Sequence, residues 1–272
     1  MLAASLAGVL IFYAAGVVRV WARAGTGRGI QVREVWAFGC GWLTLAAALL
    51  PPLDEWSERW LAAHMIQHEL LMVVAAPLVA ISAPALAALW AMPGSVRRQL
   101  LEWTRRQAIA RSWETVTAPL SVFLLHLLAL WIWHLPALYD AALENEGIHA
   151  IQHLCFFGTA ALFWWGIGHG RYGRLGYGAA VVYVFATTVH SGVLGALLTF
   201  SPRVWYAPYL SHHPAGLTPL EDQQLAGLLM WVPAGLIVAG GGLVLFAQWL
   251  RESDRRTRYN PSPRSWRSAG PR

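Results

Sequence analysis

The chain has 272 residues, 57% of them hydrophobic and only 12% charged, about half the charged fraction of an average soluble domain. That balance excludes a disordered or fibrous chain and argues against a soluble one. A membrane-crossing helix needs about 20 apolar residues, so the length suits about seven spans in one compact bundle. All 20 basic residues are Arg, and they leave a net charge of +6. Where these Arg fall decides between a nucleic-acid surface and a membrane-orientation signal.

Residues 1–21 are apolar with no basic residue ahead of the hydrophobic run, and Arg19 and Arg23 follow it. This is the reverse of a secretory leader and reads as an uncleaved first span. A second span covers 35–50 and stops at Pro51 and Pro52, before an acidic loop. The apolar stretch 60–92 is too long for one straight crossing and is expected to break or kink at Pro77 and Pro84. Residues 93–118 interleave five Arg with apolar side chains and resemble a basic amphipathic helix on the membrane surface.

Further spans are expected at 119–138, 148–168, 177–200 and 223–250, making residues 1–250 one transmembrane domain. Residues 251–272 form a polar, basic tail with the composition of a disordered segment. Placing the N-terminus outside puts 18 of the 20 Arg on the cytoplasmic side, leaving only Arg59 and Arg203 opposite. The expected architecture is therefore an all-α integral membrane bundle of about seven helices, N-terminus outside and C-terminus cytoplasmic, in a bacterial plasma membrane. Its partner is the lipid bilayer, and nucleic acid is excluded.

Polar groups inside spans are costly and mark functional sites. In this chain they are mostly histidines. His64 and His68 are spaced i, i+4, so both imidazoles leave one helical face. His149 and His153 repeat that spacing at a matching depth, so the two pairs can meet across the bundle. Four imidazoles, or three with a Met or water, suit copper, zinc or iron. The competing account is histidines that cap helices or hydrogen-bond between them.

His134 lies near the same level in the run W-I-W-H-L-P-A-L-Y, where Pro136 frees the carbonyl of Ile132. His190 belongs to a polar stripe with Thr187, Thr188 and Ser191, while His126 reads as a core histidine. Asp222 opens the last span and either complements that helix's dipole or orients an imidazole. Met65, Met72 and Met230 are thioether candidates or core filler. Glu69 is the most expensive side chain of the bundle and must be protonated, paired or part of an ion or proton route. His212 and His213 are loop histidines that either catch a metal from solvent or, as exposed loop histidines usually are, are inert. Cys40 and Cys155 are far apart in apolar surroundings, so they offer neither a disulfide framework nor a C-x-x-C pair. No nucleotide-binding or hydrolytic motif is present.

The motifs H-M-I-Q-H-E-L-L-M-V-V-A-A-P-L from His64, W-I-W-H-L-P-A-L-Y-D-A-A-L from Trp131, H-A-I-Q-H-L-C-F-F from His149 and D-Q-Q-L-A-G-L-L-M-W-V-P from Asp222 occur in that order. On these the chain resembles the multi-span CtaG family of caa3-type cytochrome c oxidase assembly factors. The resemblance implies a seven-helix membrane protein that works with cytochrome c oxidase subunits through copper delivery or insertion, and since no residue set assigns a reaction the chain is not expected to be an enzyme. It implies a functional set of His64, His68, His134, Tyr139, His149, His153, Asp222, Gln223 and Met230. Gln152 stands where an acid is often expected. The alternatives are a membrane cytochrome with haem on the His pairs, a copper or proton transporter using Glu69, His126 and His190, and a metal-free scaffold.

Overall fold

The computed structural model describes residues 2–168, 177–211 and 216–259, and among these it is helical with no strand. His212 and His213, Arg171 and Arg174, and tail residues 260–272 lie outside the described residues.

Helix α1 (Leu2–Ala24) is followed by α2 (Val32–Leu49) and the short α3 (Leu53–Ser57). The 60–92 stretch forms α4 (Leu61–Glu69), a π-helical segment (Leu70–Ala75), α5 (Ala76–Ala80) and, after a break, α6 (Pro84–Ala91). The basic region makes α7 (Gly94–Thr104) and α8 (Gln107–Val116). Then come α9 (Pro119–Trp133), α10 (Pro136–Glu144), α11 (Glu146–Gly168) and α12 (Tyr177–Phe200). A 3-10 turn (Ala207–Ser211) precedes the long α13 (Pro219–Tyr259).

Five helical stretches are long and apolar enough to cross a membrane, or six when the bent pair α8 and α9 is taken as one span. The five are Leu2–Ala24, Leu61–Ala80, Glu146–Gly168, Ala180–Phe200 and Pro219–Arg251. The outward faces are apolar: Val182, Phe185, Val189, Val193 and Phe200 of α12 are all exposed, Phe200 at 76%. A face of this kind is stable against hydrocarbon, and this is a multi-pass membrane protein. The expected fourth span is shorter than 119–138, because the chain turns after Trp133 and restarts at Pro136, whose ring pre-sets the first helical turn. The carbonyl of Ile132 is not left bare, since it accepts the Leu135 N–H at 3.2 Å.

The helix breaks ahead of Pro84, as expected, and Pro84 opens α6, with Ala83 in the left-handed region at φ 52°. Pro77 does not break the helix. The proline removes one N–H donor, and the turn ahead of it has widened into π register, so that the Ala76 N–H reaches the Leu71 carbonyl, five residues back. In α register the same N–H would serve Met72. The Met72 carbonyl instead accepts from the Trp164 indole of α11 at 3.0 Å.

The break at 81–83 lets α6 swing aside and run alongside α1. Tyr13 donates to the Ser82 carbonyl at 2.8 Å, and Arg19 donates to the carbonyls of Trp90, Ala91 and Met92. Trp90 also stacks beneath the guanidinium groups of Arg23 and Arg97, at 4.9 and 4.3 Å. Gly16 permits the approach, because a Cβ there would run into the Ala87 backbone carbonyl. On the other side of the bundle, Gly195 and Gly227 meet the backbones of α13 and α12 in the same way.

Gly16→Ala is therefore expected to force α1 from α6 and lower stability by about 1–3 kcal/mol. Gly8→Ala, where a Cβ meets nothing within 4 Å, should not. Thermal unfolding of the two variants in detergent compares them.

Candidate metal centre

The i, i+4 spacing of His64 and His68 places both rings on the buried face of α4, where they are 0% and 1% exposed. Their Nε2 atoms stand 3.0 Å apart. From α11, His149 and His153 project to the same point, with their rings 5.1 and 6.2 Å from the His64 ring. One ligand atom from each of the four lies within 4.8 Å of the other three. The pairs thus meet as the spacing implied. Tetrahedral coordination at bonds of 2.0–2.1 Å needs nitrogen separations of about 3.3 Å, so an ion would draw the rings together by rotation and small shifts.

The tautomer of His64 follows from its partners. Tyr209 has one hydroxyl proton, which goes to the Ser57 carbonyl at 2.8 Å. At 3.1 Å from His64 Nδ1, the same hydroxyl must then accept. His64 carries its proton on Nδ1 and directs the Nε2 lone pair at the other histidines. His134 repeats the logic, because its Nδ1 lies 2.7 Å from the Leu130 carbonyl and must donate to it. The Nε2 atoms of His134, His149 and His153 are buried without a hydrogen-bond partner. With the His64 proton on Nδ1, the 3.0 Å contact is a hydrogen bond from His68 Nε2–H to His64 Nε2, which leaves His68 Nδ1 buried without a partner as well, and imidazoles with buried, unpaired ring nitrogens suit a transition metal. His134 is offset from the four, its ring 6.3 Å from that of His68.

The remaining residues build the walls. Tyr139, fully buried, lies 5.1 Å from the His64 ring and stacks on Tyr206 at 3.9 Å. Tyr206 donates to the His134 carbonyl at 3.1 Å. Burial raises the Asp140 carboxyl from its ordinary value, against the pull of the Ala207 N–H. Among the described residues Asp222 makes no direct hydrogen bond to an imidazole. Its two oxygens accept from the backbone N–H groups of Leu61 and Ala62, at 2.7 and 3.1 Å, and so cap the helix that carries His64 and His68. The start of its own helix is served by a box between Thr218 and Glu221.

Gln223 accepts from the Trp205 N–H at 2.6 Å and donates to the Arg203 carbonyl at 2.9 Å. It fastens the loop that delivers Tyr206 and Tyr209. Sequence reasoning missed Ser57, Gln67, Tyr206 and Tyr209. Gln67 holds α4 by donating to the Ala48 carbonyl at 2.8 Å and to Asp54 at 3.0 Å. A signal for Gln67 was present in the repeated I-Q-H, which also contains the fully buried Gln152.

Glu69, Met230 and His126 gather elsewhere, around a cavity of about 40 Å³. His190 packs beside that group, its ring 6.0 Å from His126. A larger cavity of about 710 Å³ is lined by His149 and His153 together with Asp54, Glu58 and Glu146.

An all-helical membrane protein with this buried histidine centre is the class that fold and site define. The family model described as cytochrome c oxidase caa3 assembly factor (Caa3_CtaG) matches residues 11–252, and the chain belongs to that family. It is also similar to an uncharacterized protein of Mycobacterium leprae (strain TN), at 26% identity over 258 residues. That match covers 90% of this chain, which spans 38% of the relative's length. No solved structure matches it.

Removing the Asp222 carboxylate should uncover two buried amides. Asp222→Ala is expected to lower stability by about 1–3 kcal/mol, with Asp222→Asn, which keeps one acceptor oxygen, falling between the two. Thermal unfolding with a readout of the α4 amides by hydrogen exchange checks both.

Proposed function

We propose that this member of the oxidase assembly family binds a copper ion between His64, His68, His149 and His153 and hands it to cytochrome c oxidase subunits during assembly. The observation that carries this reading is the convergence of four imidazole ligand atoms within 4.8 Å. Tyr209 supports it by setting the His64 tautomer, and His134 is a fifth imidazole within reach of a small rearrangement. Zinc and iron accept the same ligands; copper is preferred because it is the metal the family's role in making the oxidase implies. The direct packing of the rings, with two Nε2 atoms 3.0 Å apart, favours a single ion over a haem macrocycle between axial ligands.

The large cavity supplies a path, because the carboxylates of Asp54, Glu58 and Glu146 in its lining concentrate cations near His149. In this reading α2 and α9 also cross the bilayer, completing seven spans. The N-terminus, the loop 50–60 and the metal centre then lie at the outer face of a bacterial plasma membrane, and the Arg-rich 93–118 region and tail lie in the cytoplasm. Arg placement supports that orientation.

Purified protein is expected to carry about one copper ion per chain, and His64→Ala with His68→Ala together should abolish it along with assembly of active oxidase. Metal analysis that is blank for the unaltered chain, with an active oxidase in the double variant, would sink the reading. For orientation, Cys40 and Cys155 are first replaced by Ala. A membrane-impermeant thiol reagent applied to intact cells should then label Glu144→Cys and spare Ser95→Cys. The opposite pattern inverts the topology.

A further inference from the structure

The smaller cavity contains chemistry that the histidine centre does not use. Glu69 follows His68 directly in sequence but opens onto this other space, together with Met72, His126, Thr187, Ser191 and Met230. One Glu69 oxygen is buried without a hydrogen-bond partner. No cation pairs with the carboxylate among the described residues, and an isolated carboxylate at membrane depth is among the costliest groups a bundle can hold. Thr187 and Ser191 do not help, since their hydroxyls donate back to carbonyls of their own helix, at 3.0 Å each.

Two thioethers line the same space. Met72 sits one helical turn beyond His68, and Met230 lies eight residues, or about 12 Å, beyond Asp222 on α13. His126 has its Nδ1 proton committed to Thr159, whose hydroxyl already donates to the Cys155 carbonyl at 2.8 Å, so its Nε2 is the lone-pair nitrogen. The Met72 backbone is held in place by the Trp164 indole. At about 40 Å³ the cavity admits an ion with a few water-sized neighbours and nothing larger.

We infer that this cavity is a second metal site, for a soft monovalent cation of the Cu(I) class, with ligands drawn from Met72, Met230, His126 and Glu69. Thioethers select Cu(I) over zinc or divalent copper. A single positive charge also neutralises the Glu69 carboxylate, whereas a divalent ion would leave a net charge in the bundle. The inner site takes its choice of metal from the copper reading of the histidine centre, but its ligands are separate. Phe156, packed 4.7 Å from the His68 ring, and Ala160 one turn further, which lines the cavity, place the two sites about one helical turn apart.

The test is anaerobic titration of the full detergent-purified chain with Cu(I), competed by bicinchoninate, together with X-ray absorption at the copper edge. The unaltered protein should bind two Cu(I) and show a sulfur shell. Met72→Leu with Met230→Leu, near-isosteric and suited to an apolar wall, should bind one and lose the sulfur shell, and Glu69→Gln should weaken the same ion at least 10-fold. His64→Ala with His68→Ala should lose the other ion and keep the sulfur. The inference is overturned if the unaltered protein shows no sulfur shell, a result that needs no variant to fold, or if the Met72 and Met230 changes leave stoichiometry and spectrum as they were. A lone Cu(I) that survives the histidine changes with sulfur around it would uphold the inner site and refute the outer one.

Discussion

The carboxylate of Asp222 on the two amides of Leu61 and Ala62 is the contact on which the rest of the site depends. A helix starting inside a membrane protein has N–H groups that neither water nor its own turns can satisfy. Here a side chain more than 150 residues away supplies the missing acceptor. The first turn of α4 is thereby fixed in rotation, and with it the direction in which His64 and His68 leave the helix. Gln67 pins the same helix from its other side, to the carbonyl of Ala48. The neighbouring Gln223 pins the loop that carries Tyr209. One pair of adjacent residues on α13 thus orients the imidazoles and the hydroxyl that sets the tautomer of one of them.

A second constraint governs the far end of α4. Pro77 would cost a regular helix a hydrogen bond and a steric clash. The chain absorbs it by widening one turn, and the carbonyl this leaves over is taken by Trp164. The widened turn also changes the angular phase between residues before and after it. His68 and Met72, which uninterrupted α-helical geometry would stack on one face, instead serve two different spaces.

Much of this was legible in the sequence because it is periodic. The i, i+4 histidines and their convergence, the break at Pro84 and the apolar runs of five of the expected spans follow from local geometry and are found in the structure, whereas the helix restart at Pro136 inside the expected fourth span was not read. Other features were not legible. Tyr206 and Tyr209 sit in a stretch without periodic pattern, and their roles come from partners at Ser57, His64 and His134. Asp222 was recognisable as a helix-start residue, but its own helix is already capped by Thr218 and Glu221, and nothing local says that the carboxylate serves another. Pro77 marked a disturbed stretch of helix, but a proline signals a lost hydrogen bond without showing that the chain relieves it by a π-helical turn.

The long reach of the Asp222 contact has a consequence for biogenesis. Ribosomal synthesis delivers α4 to the membrane well before α13 exists, so for that interval the helix bearing His64 and His68 lacks the acceptor that caps it. Only insertion of α13 completes the lock. The histidine cluster therefore matures after α13 is in place, and a chain that stalls before α13 leaves His64 and His68 on an uncapped α4.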